Sequence, residues 1–165
     1  MSSSGDSADA IRNHSIAFIG EFVGSFMFLF MAFAGTQVAN EKAGPGVESL
    51  LYIAAAFGAS VTVNAWIFFR VSGSAFNPVA SLSLWLLGAI PLVRAVVASL
   101  AHMVAGVAAS AVVAVLFPGP LTVQARLGPD TSVVQGLFVE AFLTAQLMLA
   151  VLMLALEKQR ATRPV

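Results

Sequence analysis

Two carboxylates stand inside long apolar runs of this sequence, Glu21 and Glu140. A carboxyl group in such a setting is costly, so it marks a place that needs a hydrogen-bond acceptor or a proton carrier. Their neighbourhoods are alike: Glu21-Phe22-Val23-Gly24-Ser25-Phe26 beside Glu140-Ala141-Phe142-Leu143-Thr144-Ala145. Likeness of that kind is what an inverted repeat leaves behind in a membrane fold. Between them lies Val71-Ser72-Gly73-Ser74-Ala75-Phe76-Asn77-Pro78-Val79. Asn caps a helix by accepting from orphan backbone N–H groups, and Pro at the first helical position has no N–H to lose. Gly88 offers a stop and Pro91 forbids continuation.

The helix so bounded, 78–87, measures roughly 15 Å, about half of the ~30 Å hydrocarbon core. An Asn-Pro pair by itself fits a surface helix equally well. Set between two much longer apolar segments, it reads as a re-entrant half-helix that ends near mid-membrane. A re-entrant loop leaves backbone groups unpaired at depth, and something buried must satisfy them. Glu21 and Glu140 fit that loop-supporting role; a proton relay or a plain interhelical hydrogen bond are the alternatives. The amino-terminal end of a helix carries about half a positive charge. Aimed at a pore centre, with the Asn77 amide ahead of it, that field opposes cations and orients water by its oxygen.

The elements that must hold these residues follow from hydropathy. The chain is 59% hydrophobic and 10% charged, which excludes a soluble globular domain. The reading is an all-α membrane protein with spans over 15–38, 50–69, 92–117 and 133–156 within one domain, 15–156. Residues 1–14 are polar and Ser-rich and are expected to be a disordered cytoplasmic segment, and 157–165 a charged cytoplasmic tail. The first apolar run is too long for a cleaved leader. Gly20 and Gly24 form a small-xxx-small pair expected to admit a neighbouring helix. With both termini inside, Arg12, Arg70, Arg94, Lys158, Arg160 and Arg163 are cytoplasmic, while Lys42 and Arg126 lie outside.

Net charge is zero and no basic patch is interleaved with aromatics, so no nucleic-acid partner is indicated. Cysteine is absent, and two histidines without ligand spacing specify no metal; no cofactor is expected. No nucleophile–base pair or phosphate loop points to an enzyme. A proton or ion transporter using Glu21, Glu140 and His102 is disfavoured, because the spans lack the paired opposite charges of such a path.

Gly20-Glu21-Phe22-Val23-Gly24, the Ser72-Gly73-x-x-x-Asn77-Pro78-Val79 box and Glu140 together resemble the first part of an aquaporin, of the major intrinsic protein family. Ala32-Phe33-Ala34-Gly35-Thr36-Gln37-Val38-Ala39-Asn40 and Trp66-Ile67-Phe68-Phe69-Arg70 are similar to the fungal water-channel branch. The resemblance covers nearly everything after residue 15. It implies a right-handed helical bundle, incomplete here, of four membrane spans and one re-entrant half-helix. It also implies passage of water, or of a small neutral solute such as glycerol, past Asn77, Pro78 and Val79, with Phe57 at the outer constriction. Without the resemblance, Phe57 reads as a core or lipid-facing residue.

The chain departs from the family pattern at several positions. Val79 stands where the family usually has Ala, Ala75 where a His is common, and His102 where Gln is frequent; His102 is read as an interhelical hydrogen-bond partner. No second Asn-Pro box occurs, and the sequence stops soon after the fourth span. The expectation is therefore a truncated member whose pore wall is incomplete in one copy. The partners so implied are membrane lipid and either further copies, a tetramer by resemblance, or full-length subunits that a non-conducting chain would modulate. The plasma membrane is the expected location.

Overall fold

The computed structural model describes residues 3–44, 46–128 and 130–154, with side chains from residue 9 onward. Five helices follow one another: α1 (Ser3–Lys42), α2 (Val47–Phe68), α3 (Pro78–Leu86), α4 (Leu92–Leu116) and α5 (Val133–Leu152). No strand occurs among the described residues. Four of the helices, all but α3, are long and apolar enough to cross a membrane. The described residues form an all-α bundle of four long apolar helices and one short helix, as the resemblance implies. The expected tail 157–165, with Lys158, Arg160 and Arg163, and the last two residues of the expected fourth span lie outside the described residues.

Helix α1 begins well before the span read from hydropathy. Polar residues end a membrane span but need not end a helix. Once the apolar turns are formed, propagation costs little, and no proline interrupts residues 3–14.

Packing is inverted relative to a soluble bundle. The buried face of α4 is Ala95, Ala98, Ala101, His102, Ala105, Ala109 and Val113, small residues three or four apart that let α1 approach closely. The buried residues of α2 are Ser49, Ser60 and Asn64. Large apolar side chains point outward instead, Trp66 and Val115 among the most exposed. In water that surface would aggregate; in lipid it is the solvated face. Helix α1 sits between α2 and α4, whereas α3 packs on α4, and α5 reaches the other helices through α3. Gly35 lets α1 and α2 meet, since a Cβ there would overlap the Ala56 methyl group.

The irregular stretch after α4 is tied to the far end of α1. Gln37, 1% exposed, donates to the carbonyl of Pro120 at 3.0 Å and accepts from the Thr122 N–H at 2.9 Å. Asn40 donates to the Thr122 carbonyl at 2.9 Å. Helix α5 then starts on a reciprocal cap: Ser132 and Gln135 each bond the other's backbone N–H.

Candidate functional site

The loop from Val71 to Asn77 holds the positive-φ non-glycine positions found among the described residues. Gly73 has φ of 100°, and two L-residues, Ser74 and Phe76, also lie in the left-handed region at 52° and 48°. Each such non-glycine position costs on the order of 1–3 kcal/mol and persists only where its surroundings over-determine it. They do so here. The Glu21 carboxylate accepts the consecutive N–H groups of Ala75 at 3.3 Å and Phe76 at 3.1 Å. Ser74 Oγ donates to the Ala65 carbonyl at 3.1 Å, and Arg94 Nη2 donates to the Ser72 carbonyl at 2.9 Å. Helices α1, α2 and α4 each hold one part of the loop.

Glu21 is 2% exposed, and its Oε2 is also 2.8 Å from Nε2 of His102, itself 4% exposed. An unpaired carboxylate at this depth would be prohibitive; two loop N–H groups and an imidazole stabilise it. His102 is thus the interhelical partner its position implied, joining α4 to α1. Gly20 and Gly24 extend one expectation. Their faces admit the loop as well as a neighbouring helix: a Cβ on Gly20 would lie 2.8 Å from Ser72 Cβ, and one on Gly24 would overlap the Phe76 ring and lie 3.1 Å from the Phe68 ring of α2.

Going from Ser72 to Phe76, the loop therefore climbs α1 from the level of Gly20 to that of Gly24, about 6 Å. Phe76 also stacks on Phe28, at 6.4 Å between ring centroids. Gly24 and Phe28 lie near the middle of the apolar stretch Asp9–Lys42 of α1. A single cavity is lined by Arg70 to Gly73 and by Ala89, Ile90, Pro91 and Arg94, so the segment enters and leaves at the same end of the bundle.

At the turning point, Asn77 caps α3: its Oδ1 accepts the Val79 N–H at 2.9 Å, with Pro78 in the first turn. Asn77 is half-buried, and Pro78 and Val79 are exposed. Phe57 is half-buried on α2, edge-on to Phe28 at 6.1 Å and to Phe33 at 6.2 Å. Rings thus run continuously from Phe57 through Phe28 to Phe76, next to Asn77. Glu140 is not brought to this loop; it is exposed on α5, with no hydrogen bond among the described residues. The loop-supporting role expected of both carboxylates thus falls to Glu21 alone, because α5 touches only α3 among the helices and does not bring Glu140 to the loop backbone.

Sequence reasoning missed three participants. Arg94 was counted only as an orientation charge, yet it holds the loop carbonyl of Ser72. Ser74 gave no signal. Phe76 was legible only as an apolar residue before the Asn-Pro pair.

A half-helix capped by Asn-Pro, held by a buried glutamate and entered and left from one side, defines a membrane protein of the re-entrant-loop type. The sequence model of the family described as Major intrinsic protein matches residues 9–164, and the chain belongs to that family. It is similar to Aquaporin-7 of Botryotinia fuckeliana (strain B05.10), 47% identical over 161 residues, covering 92% of this chain and 36% of that protein. Aquaporin-2 of the same fungus is 49% identical, over 92% of this chain and 43% of that protein. Aquaporin-1 of Gibberella zeae is 45% identical, over 93% of this chain and 51% of that protein. The chain thus spans between a third and a half of the length of these curated relatives.

Proposed function

We propose that this chain supplies one face of a channel for passive movement of water across a membrane, with the capped amino-terminal end of α3 as the element that meets the solute. The observation that carries the reading is the mid-span position of Asn77, whose Oδ1 is engaged in the cap while its Nδ2 makes no hydrogen bond among the described residues. That amide and the helix dipole behind it suit a neutral solute that accepts hydrogen bonds and disfavour a cation. Water is the first choice because the family resemblance puts the ring of Phe57 at a narrow outer constriction; a small polyol such as glycerol is the second. Glu21 supports the loop. The arginines at the loop end, Arg12, Arg70 and Arg94, orient that end to the cytoplasm.

The exposed flank of α3 at Pro78 and Val79 favours completion of the conduit by further protein: other copies of this chain, in a tetramer as in the family, or longer relatives. The same observation supports a second reading, a non-conducting chain that joins and modulates such relatives. Osmotic shrinkage of proteoliposomes separates the two. The channel reading expects water permeability well above that of protein-free vesicles. Lipid-like permeability with the chain alone, beside a fast full-length relative, overturns autonomous conduction. An altered rate when the two are reconstituted together then supports the modulatory reading.

A further inference from the structure

Where the loop enters the bundle and α4 begins, a cavity of about 460 Å³ is lined by Arg70, Ser72, Arg94 and Ser81. Two arginines there face one carboxylate, Glu21, so positive charge is in excess. Among the described residues the ion pairs are Arg12 with Asp9 and His102 with Glu21, and neither Arg70 nor Arg94 has an acidic partner. Arg94 is half-buried and gives one N–H to the Ser72 carbonyl, leaving most of its five donors unused. Arg70 is exposed and makes no side-chain hydrogen bond among the described residues. Glu21 also lines the cavity, but its oxygens already accept from Ala75, Phe76 and His102. Ser81 is fully buried, and its hydroxyl has no hydrogen-bond partner among the described residues.

A half-buried guanidinium without a counter-ion is unfavourable next to an apolar medium, and a buried hydroxyl without a partner adds to that cost. Both are relieved by one kind of guest. Forked N–H donors from two arginines and a hydroxyl donor complement the oxygens of a tetrahedral oxyanion, and the cavity is large enough to admit one. We propose that this cavity binds a phosphate group, held by Arg70 and Arg94 at the mouth and by Ser81 within. Two sources share that chemistry: the headgroup of an anionic phospholipid in the adjoining leaflet, or free phosphate from solution. The inference does not depend on conduction.

The test uses the full chain in neutral detergent micelles, titrated separately with inorganic phosphate, phosphatidylglycerol and diacylglycerol. Thermal unfolding and the ³¹P line width are followed. Saturable stabilisation with ³¹P broadening is expected from at least one phosphate-bearing ligand, and none from diacylglycerol. Response to the lipid alone identifies a headgroup site, and response to inorganic phosphate identifies a site open to solution. R70Q and S81A are each expected to weaken binding about five- to tenfold. Arg70 makes no described bond to the loop, so R70Q leaves the fold intact, as circular dichroism would verify. Absence of a saturable response, or an undiminished one in the R70Q/S81A double variant, overturns the proposal.

Discussion

Oε2 of Glu21 is shared: it accepts the Phe76 N–H at 3.1 Å and stands 2.8 Å from Nε2 of His102. One oxygen atom thus connects α1, α4 and the left-handed turn that launches α3. Because the pair is buried, the loop and the α1–α4 contact are coupled, and loss of either partner is felt by both.

The chemistry at position 102 can be graded. His102→Gln keeps a donor for Glu21, while His102→Leu leaves the carboxylate buried with one partner fewer. His102→Leu is expected to lower stability by about 1–3 kcal/mol, and His102→Gln by clearly less. Thermal unfolding in detergent, followed by circular dichroism, measures the order; equal losses would show that the hydrogen bond contributes nothing beyond packing.

Glycine-to-alanine changes should reverse sign along the chain. In a helix the change ordinarily gains roughly 0.5–1 kcal/mol. Gly58 on α2 faces open space, so Gly58→Ala is expected to stabilise by about that amount. On α1 the added methyl group at Gly24 would overlap the Phe76 ring, so Gly24→Ala should destabilise and loosen the loop. Denaturation of the two variants side by side checks both signs.

The two intramembrane carboxylates should differ as sharply as their surroundings. Glu21→Ala strands the N–H groups of Ala75 and Phe76 and is expected to cost several kcal/mol by loss of charge-assisted bonds, each worth about 1.5–3 kcal/mol. Glu140→Ala removes an exposed group and should stay within about 0.5 kcal/mol of the parent. A marked loss from Glu140→Ala would reveal a partner for α5.

Gln37 clamps the irregular stretch beyond α4. Gln37→Ala should speed amide hydrogen exchange at Thr122 by about tenfold or more while leaving the α1–α4 core protected. Exchange rates read by mass spectrometry on peptides spanning 118–126 would report it. Unchanged protection there would assign the ordering of this stretch to its own backbone.

Asn77 serves both the cap and the proposed conduit, and two substitutions separate these roles. Asn77→Asp keeps an acceptor for the Val79 N–H, whereas Asn77→Ala loses it at a cost of about 1 kcal/mol. If the free amide meets the solute, both should lower osmotic water permeability, and only Asn77→Ala should also lower stability. Permeability that follows stability alone would confine the residue to capping.

The sequence by itself determined what depends on neighbours along the chain. Apolar length places α2, α4 and α5 within a few residues, and the Asn77-Pro78 start with the Gly88 and Pro91 stop bounds α3, because capping and ring closure act over one turn. The beginning of α1 was less legible, since hydropathy reports where lipid ends and not where hydrogen bonding ends. Tertiary structure alone decided which carboxylate meets the loop. Glu21 and Glu140 have similar local strings, yet only Glu21 lies opposite Phe76, across 55 residues of chain. It likewise turned Gly20 and Gly24 toward the loop and gave Arg94 a carbonyl to hold. Such contacts are selected by the joint fit of several helices at once, and no run of residues records them.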